Sequence, residues 1–481
     1  MQKNKLAKLF LFNQYLSIGL IFISALVFRI ILVNKYHVSR ISNDEITYLT
    51  LAANIAERHS YTSSPPPQDE PSFFREPGYP LFLASIASLY KMAGNDIIFP
   101  HSSLYGENTI PEQLRSMILF LKSGQAVLGA LNVIIFYFIL TLFFRKKYCL
   151  IIALIYAFYF PDAILCSFLL RENLQTTLIM FFSYFTARYL TKQSLKDIAF
   201  SGIFVGLSIM TFQAMAILGP ALAAAAGIAK RKMNEALLHI IIAGFCAIVV
   251  VTPWTLRAYR RYSSWSVIPT FGVSLTHDWR RHAGMLRVIH RKGIISDETF
   301  IQMESQLYHG DQFVKTIDGT HKREAEKLRE LVPDYSWKDK FFSISSLKTR
   351  VKRMCFALVN MQWISQKFSN PVASKVGYID YLLLSVMSLL TVIGLLCWFP
   401  KLWKSSIALA VMFLFSNMLM SASRRIAPVG YFLYLYMLLG LITVAFYAYR
   451  RKRSLKELYD RLLIPHHDRG VLTQTAPDSQ R

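Results

Sequence analysis

Carboxylates are scarce in this chain. Its 481 residues hold 29 Asp and Glu against 54 Lys and Arg, a formal net charge of +25. Cysteine is scarcer still. There are five, with no CxxC spacing, so neither a disulfide framework nor a zinc ribbon is indicated. Four of them lie in or beside apolar runs, where a thiol behaves as a small hydrophobe. No His/Asp cluster has clear metal-ligand spacing, and there is no internal repeat or low-complexity tract. No small-residue cleavage site follows the first apolar run, 11–33, which therefore reads as a retained transmembrane helix.

What the chain has in abundance is apolar length. It is 53% hydrophobic and 14% aromatic. Runs of about 18–25 apolar residues cross about 30 Å of hydrocarbon as helix. The pattern predicts ten spans, at 11–33, 112–142, 148–168, 173–190, 197–212, 215–229, 236–256, 377–399, 405–422 and 427–449. Short basic clusters recur between them: Lys3/Lys5/Lys8, Arg145-Lys146-Lys147, Lys192/Lys196, Lys230-Arg231-Lys232, Lys401/Lys404 and Arg450 to Arg453. Each consecutive pair is separated by an even number of crossings. The positive-inside rule puts all of them, and both termini, in the cytoplasm. The same parity splits 197–229 near Thr211-Phe212-Gln213, since one long helix would put Lys192 and Lys230 on opposite sides. Much of the positive charge is this loop bias, so nucleic acid is excluded as a partner.

Four regions follow: an N-terminal transmembrane module, 1–256, with a first outward loop at 34–111; an outward basic segment, 257–376; C-terminal spans, 377–449; and a short polar cytoplasmic tail, 450–481. In the first loop, Asp44–His59 has apolar residues at helical spacing, and Tyr79–Ala93 is apolar but too short to cross, so it lies in the interface. In the second, Asp297–Tyr308 and Lys322–Leu331 read as polar helices. Leu347–Trp363 reads as a basic amphipathic helix on the membrane surface.

The charged residues of chemical interest gather at the outward face. Asp44 and Glu45 open a helix, where acids favour the positive end of its dipole. They read either as caps or as a general base at the membrane surface, held within reach of an acceptor hydroxyl. Arg75, in Phe74-Arg75-Glu76-Pro77-Gly78-Tyr79-Pro80, is either a solvated turn charge or a bidentate phosphate ligand. Arg29, Lys122, Asp162, Arg171 and Glu172 lie within or at the outer ends of spans, where an ionisable group marks a site by default. Snorkelling to the interface suits Arg29 well and the short Asp162 less. Pro253-Trp254-Thr255-Leu256 ends the seventh span, Trp254 fits the aromatic belt, and Arg257 follows.

These features occur in a telling order: Asp-Glu-x-x-Tyr after the first helix, Arg-x-Pro-Gly-Tyr-Pro-Leu-Phe-Leu-Ala, then Gln125 to Leu131, Arg171-Glu172-Asn173-Leu174, Pro-Trp-Thr-Leu-Arg, and an outer Arg424-Arg425-x-x-Pro428. Over roughly 11–449 the chain resembles the GT-C glycosyltransferases, in the bacterial branch similar to protein O-mannosyltransferases and the lipid A aminoarabinose transferase. It departs from that pattern at Thr211-Phe212-Gln213, where relatives commonly read Thr-Arg-Pro, at His277 to His282, where they often have Leu-Trp-x-Gly-Asn, and at Glu76, often proline.

The resemblance implies an all-α polytopic membrane protein of the GT-C fold, with two outward loops carrying interfacial helices. It implies an inverting transferase that moves a sugar from a polyprenyl-phosphate carrier to a glycan, lipid or protein acceptor at the outer face of the inner membrane. Asp44 falls at the family's catalytic aspartate and Glu45 beside it. Arg75, Lys122, Glu172 and Arg257 fall at substrate-binding positions. No cofactor or metal is implied, since cations on the protein would hold the leaving phosphate. Other readings stay open. A lipid-linked glycan ligase or polymerase would also want outward arginines. A lipid transporter or flippase would want broken helices at the midplane and pseudo-symmetric halves. An inactive relative would serve as a scaffold.

Overall fold

A computed structural model describes residues 2–36, 43–62, 75–99, 112–229, 232–262, 389–390, 393–394, 396–398, 430–449 and 455–463. The helices expected at 297–308, 322–331 and 347–363, the span 405–422 and most of 377–399 lie outside these residues. Among the described residues there is no β-strand, only one isolated antiparallel bridge between Phe144 and Leu463. The helices are α1 (Gln2–Lys35), α2 (Asn43–Arg58), α3 (Gly78–Met92), α4 (Glu112–Thr141), α5 (Lys146–Ala157), α6 (Phe160–Ala163), α7 (Glu172–Lys192), α8 (Leu195–Thr211), α9 (Leu218–Ala229), α10 (Met233–Tyr262), α11 (Gly430–Tyr449) and α12 (Leu455–Leu462). Three are long and apolar enough to cross a membrane: Tyr15–Lys35, Glu112–Thr141 and Met233–Arg260.

Three expectations change here. The run 148–168 is not one helix. Pro161 has no N–H to donate and is tolerated only in a first turn. The chain therefore breaks after α5, restarts as α6 with Pro161 in its first turn, and tightens into a 3-10 turn, Ile164–Ser167. Pro253, by contrast, does not end its helix. α10 continues through it to Tyr262, so Arg257 is a helical residue rather than the start of a loop. The tail is not merely a polar end. α12 packs back on the α4–α5 turn, where the Arg145 N–H donates to Leu462 O at 3.1 Å and Nη2 donates to Asp460 O at 3.1 Å. The expected split of 197–229 is present. α8 stops at Thr211, and a 3-10 turn, Gln213–Ile217, leads into α9.

Helices α7 and α8 run antiparallel, and their pairings climb in step. Arg188 Nε meets Asp197 Oδ1 at 3.1 Å, Phe185 stacks on Phe200 with centroids 4.9 Å apart, and Phe181 stacks on Phe204 at 4.8 Å. The left-handed Gln193 (φ 54) closes the turn between them. On its other side α8 meets α10 through Gly202 and Gly206. A Cβ on Gly206 would stand 2.8 Å from Ala247 O, and one on Gly202 would collide with the Ala243 backbone. Small residues spaced by four allow this close approach of helices.

The bundle has two distinct ends. At one, α12 meets Arg145, and Tyr189 at the end of α7 hydrogen-bonds His239 near the start of α10 at 2.7 Å. The turns there carry Lys146, Lys147, Lys192 and Lys232. At the other end lie the start of α2, the start of α3, the start of α7 and the end of α10, brought together by contacts described below. In α4, Lys122 stands ten residues after the start at Glu112, and Thr141 is the last residue. At 1.5 Å per residue they are about 28 Å apart, close to the hydrocarbon thickness of a bilayer.

Arg29 does not snorkel. It is fully buried, and its Nη2 bonds Asp162 Oδ2 at 2.9 Å while Nη1 donates to Ala157 O at 3.0 Å. The pair joins α1 to the break between α5 and α6, and it satisfies a carbonyl that the break releases. Removing one partner strands the other charge inside the bundle, at a cost of about 3–5 kcal/mol. Arg29→Leu and Asp162→Leu should each lower the melting temperature in detergent, and the double variant should recover most of the loss. Additive losses in the double variant would show that the two side chains act independently.

Candidate active site

α2 starts at Asn43, which places Asp44 and Glu45 in its first turn, while the left-handed His59 (φ 53) turns the chain away after Arg58. Tyr61 then reaches across to the segment before α3, its hydroxyl donating to Arg75 O at 2.9 Å. Burial raises the pKa of Tyr61 well above that of an ordinary tyrosine, so the donor stays protonated. With its backbone fixed, Arg75 Nη2 meets Asp44 Oδ1 at 2.5 Å, and its guanidinium lies 5.0 Å from the centre of the Tyr48 ring. The Asp44 side chain keeps about a third of its surface exposed (33%). A carboxylate that keeps an open face and takes one charge-assisted bond remains able to accept a proton.

Glu45 points the other way. It is buried, and its Oε1 accepts the Leu169 N–H at 2.9 Å. Lys122 is also buried and lies within electrostatic reach of Glu45. Beside them Tyr79 donates to Gln125 Oε1 at 3.1 Å, Gln125 Nε2 donates to Phe168 O at 2.7 Å, and Asn173 Nδ2 donates to Gln125 O at 2.8 Å. These bonds buckle α3, α4 and the start of α7 into one unit.

A second ion pair closes the floor. Glu76 is buried, accepting Arg171 Nη1 on Oε2 at 2.6 Å and the Gln213 N–H on Oε1 at 3.2 Å. The Arg171 guanidinium covers the Phe212 ring at 3.9 Å. Burial pulls the Arg171 pKa down, but Glu76, Tyr48 and Glu172 more than offset it and hold it above the ordinary arginine value. Two of the departures from the family pattern, Glu76 and Phe212-Gln213, thus meet each other in space. Glu172 stands next to Arg171 in the first turn of α7, and its Oε2 is buried without a hydrogen-bond partner.

Arg257 completes the rim from α10. Its guanidinium lies 4.5 Å from the Trp254 ring centre and 5.4 Å from that of Tyr61, while the two rings meet edge to face at 4.7 Å. Tyr61 therefore links Arg257 to Arg75. All six residues named from the sequence, Asp44, Glu45, Arg75, Lys122, Glu172 and Arg257, stand at this one end of the bundle. Sequence reading missed the connections: the Glu76–Arg171 pair and the tyrosines Tyr48, Tyr61 and Tyr79. The charges were visible singly, but nothing in their spacing gave the pairing. Tyr48 and Tyr79 stood inside the quoted motifs but were given no role, and Tyr61 had no signal beyond an aromatic-rich composition.

Residues 117–256 match the sequence profile of the dolichyl-phosphate-mannose-protein mannosyltransferases. The matched segment includes Lys122 and Glu172 and leaves out Asp44, Glu45, Arg75 and Arg257. It resembles that family, as the motif order suggested. No curated protein sequence matches the chain. Among solved structures, the chain is similar to the oligosaccharyltransferase AglB of Archaeoglobus fulgidus, in complex with an inhibitory peptide and a dolichol-phosphate. The TM-score is 0.44 at 12% identity, over 94% of this chain and 53% of that one. It is also similar to ArnT of Cupriavidus metallidurans bound to undecaprenyl phosphate, with a TM-score of 0.38 at 12% identity, over 86% of this chain and 77% of that one. The chain spans about half the length of the archaeal enzyme.

The floor depends on Gly78. A Cβ there would stand 2.6 Å from Thr211 Oγ1 and 2.9 Å from both the carbonyl carbon and oxygen of Met210. Backbone cannot swing aside, so α3 would have to lift from the end of α8. Gly78→Ala should cost about 1–3 kcal/mol, the usual overpacking penalty, read as a lower melting temperature in detergent. Adding Thr211→Ala should restore only part of it, because the Met210 carbonyl remains. Full restoration would place the clash in the side chain alone.

Proposed function

We propose that the chain is a membrane glycosyltransferase of the GT-C type, with about ten transmembrane helices. It moves a sugar, with inversion, from a polyprenyl-phosphate carrier to a glycan, lipid or protein acceptor. The observation that carries this reading is the Asp44–Arg75 pair. A half-open carboxylate is held beside a guanidinium at one end of a membrane-length bundle, with Lys122, Arg171 and Arg257 close by. The profile match over 117–256, to a family named for a lipid-phosphate sugar, supports it.

The chemistry asks for what this end of the bundle holds. The acceptor hydroxyl oxygen forms the new bond to C1 of the sugar as the C1–O bond to phosphate breaks. The hydroxyl proton passes to Asp44, and the polyprenyl phosphate leaves carrying the bonding electrons. Asp44 is the base, and Glu45 positions it from the next residue while bonded to Leu169 N–H. Arg75, Lys122 and Arg257 hold the phosphate in place of a metal ion. Glu172 faces the substrate from α7. The carrier's tail enters sideways from the bilayer.

Asp44→Asn keeps the shape and removes the base. Protein level should hold while sugar transfer by membranes or purified protein falls about 10²–10⁴-fold, the usual range for losing a general base. Glu45→Gln should be milder. Near-normal turnover in Asp44→Asn would overturn the assignment.

This site faces out of the cytoplasm in the proposed orientation. The docking of α12 on the Arg145 turn supports it, because the tail and that turn are assigned to the same side. Reporter fusions after Lys147, Lys232, Lys404 and Arg453 should read cytoplasmic, and fusions near Ser64 and Gly310 extracytoplasmic. A cytoplasmic reading at Gly310 would reverse the orientation.

A further inference from the structure

One turn beneath the Arg171–Phe212 contact, the α7–α8 interface changes character. Gln175 follows Arg171 by four residues, its N–H bonded to Arg171 O at 2.9 Å. Ser208 precedes Phe212 by four, accepting the Phe212 N–H at 2.8 Å. The contact of Arg171 with Phe212 therefore sets Gln175 and Ser208 at neighbouring levels on facing helices. Lower down, Thr186 and Ser201 occupy the same two stripes, eleven residues after Gln175 and seven before Ser208. Those two hydroxyls hydrogen-bond each other at 3.2 Å.

Gln175 and Ser208 do not. Gln175 is 1% exposed and Ser208 0%. Yet both amide atoms of Gln175 and the Ser208 Oγ lack a hydrogen-bond partner, as does the neighbouring Glu172 Oε2. A buried amide left unpaired costs about 1–3 kcal/mol. Four unpaired polar atoms on one short stretch of interface call for an occupant that both donates and accepts. The group contains one acceptor-only carboxylate oxygen, an amide able to bond two adjacent hydroxyls at once, and a hydroxyl. It holds no cation.

We propose that Gln175, Ser208 and Glu172 form a hydroxyl-binding subsite that takes the sugar of the donor through a pair of adjacent hydroxyls. This rests on the transferase reading above. The Arg171–Glu76 pair and the Phe212 ring flank the subsite at its upper level, beside Glu172. The phosphate stays above, with Arg75 and Arg257, while the sugar's hydroxyls reach down to Gln175.

The test is binding to the full chain in nanodiscs, by competition against radiolabelled undecaprenyl phosphate. The competitors are the methyl diester of undecaprenyl phosphate, a bare carrier with the same single charge as the sugar diester, and undecaprenyl phosphate bearing mannose or glucose. Wild type should bind at least one sugar-bearing carrier about tenfold more tightly than the bare one, as expected for two added hydrogen bonds. Gln175→Leu and Ser208→Ala should each pull that ratio toward one and leave bare-carrier affinity unchanged. Without ligand, Gln175→Leu should melt at the wild-type temperature or above, since it removes an unpaired amide. A ratio retained in both variants would overturn the subsite and leave buried water as the partner of the amide. So would the absence of any gain from either sugar, or a lower melting temperature for unliganded Gln175→Leu. Failure of wild type to bind undecaprenyl phosphate would be seen before any variant is made. It would overturn the transferase reading and this inference together.

Discussion

Charge inside a membrane bundle must be neutralised locally, and that constraint arranges this site. An unpaired ion in a low-dielectric interior costs several kcal/mol. The chain answers with ion pairs between helices that are distant in sequence. Arg29 with Asp162 ties α1 to the break after α5. Arg75 with Asp44 ties the lead into α3 to the start of α2. Arg171 with Glu76 ties α7 back to the same lead. Glu45 is held by a backbone N–H that the irregular stretch before α7 leaves available. Each contact satisfies a local electrostatic need, and together they fix which helix ends share the site.

The pairs differ in what they leave over. Arg29–Asp162 is sealed, with the Arg29 side chain at 0% exposure, and such a pair can only be structural. Asp44–Arg75 keeps an open face on its acid. Glu76–Arg171 lies between these extremes and carries the aromatic contact to Phe212. The graded burial separates sealed strut, floor and open pair among residues of the same two chemical types. Cation–π contacts play the same part for Arg257, held between Trp254 and Tyr61.

Much of this was legible beforehand, for reasons that particular residues make plain. Basic turns and apolar runs gave the helix ends, because the period and length of a span are written locally. Parity alone required the break at Thr211-Phe212-Gln213, and the chain breaks there. The six candidate residues were named from charge in apolar surroundings and from motif order, and they stand at one end of the bundle. What local pattern did not carry was pairing. Arg29 looked able to snorkel because its reach is a property of one side chain, whereas Asp162 sits 133 positions away in sequence. Pro161 breaks its helix and Pro253 does not, although both stand in apolar runs. The tail looked polar by composition, but α12 buries Leu458 and Leu462 against the α4–α5 turn.

The Asp44–Arg75 bond has a mechanistic consequence under the transferase reading. While Arg75 holds it, Asp44 is stabilised as the ion and is a weaker base. A lipid phosphodiester arriving at the rim carries one negative charge, as a carboxylate does, and offers two free oxygens to a guanidinium fork. It competes for Arg75 on equal terms, and Tyr61 fixes the Arg75 backbone so that the side chain alone has to turn. Donor binding then weakens the bond that restrains the base. Under that reading the order of events is phosphate first, base second, acceptor proton last. An acceptor hydroxyl, or water in its place, meets a fully basic Asp44 only when a donor is present to receive the attack.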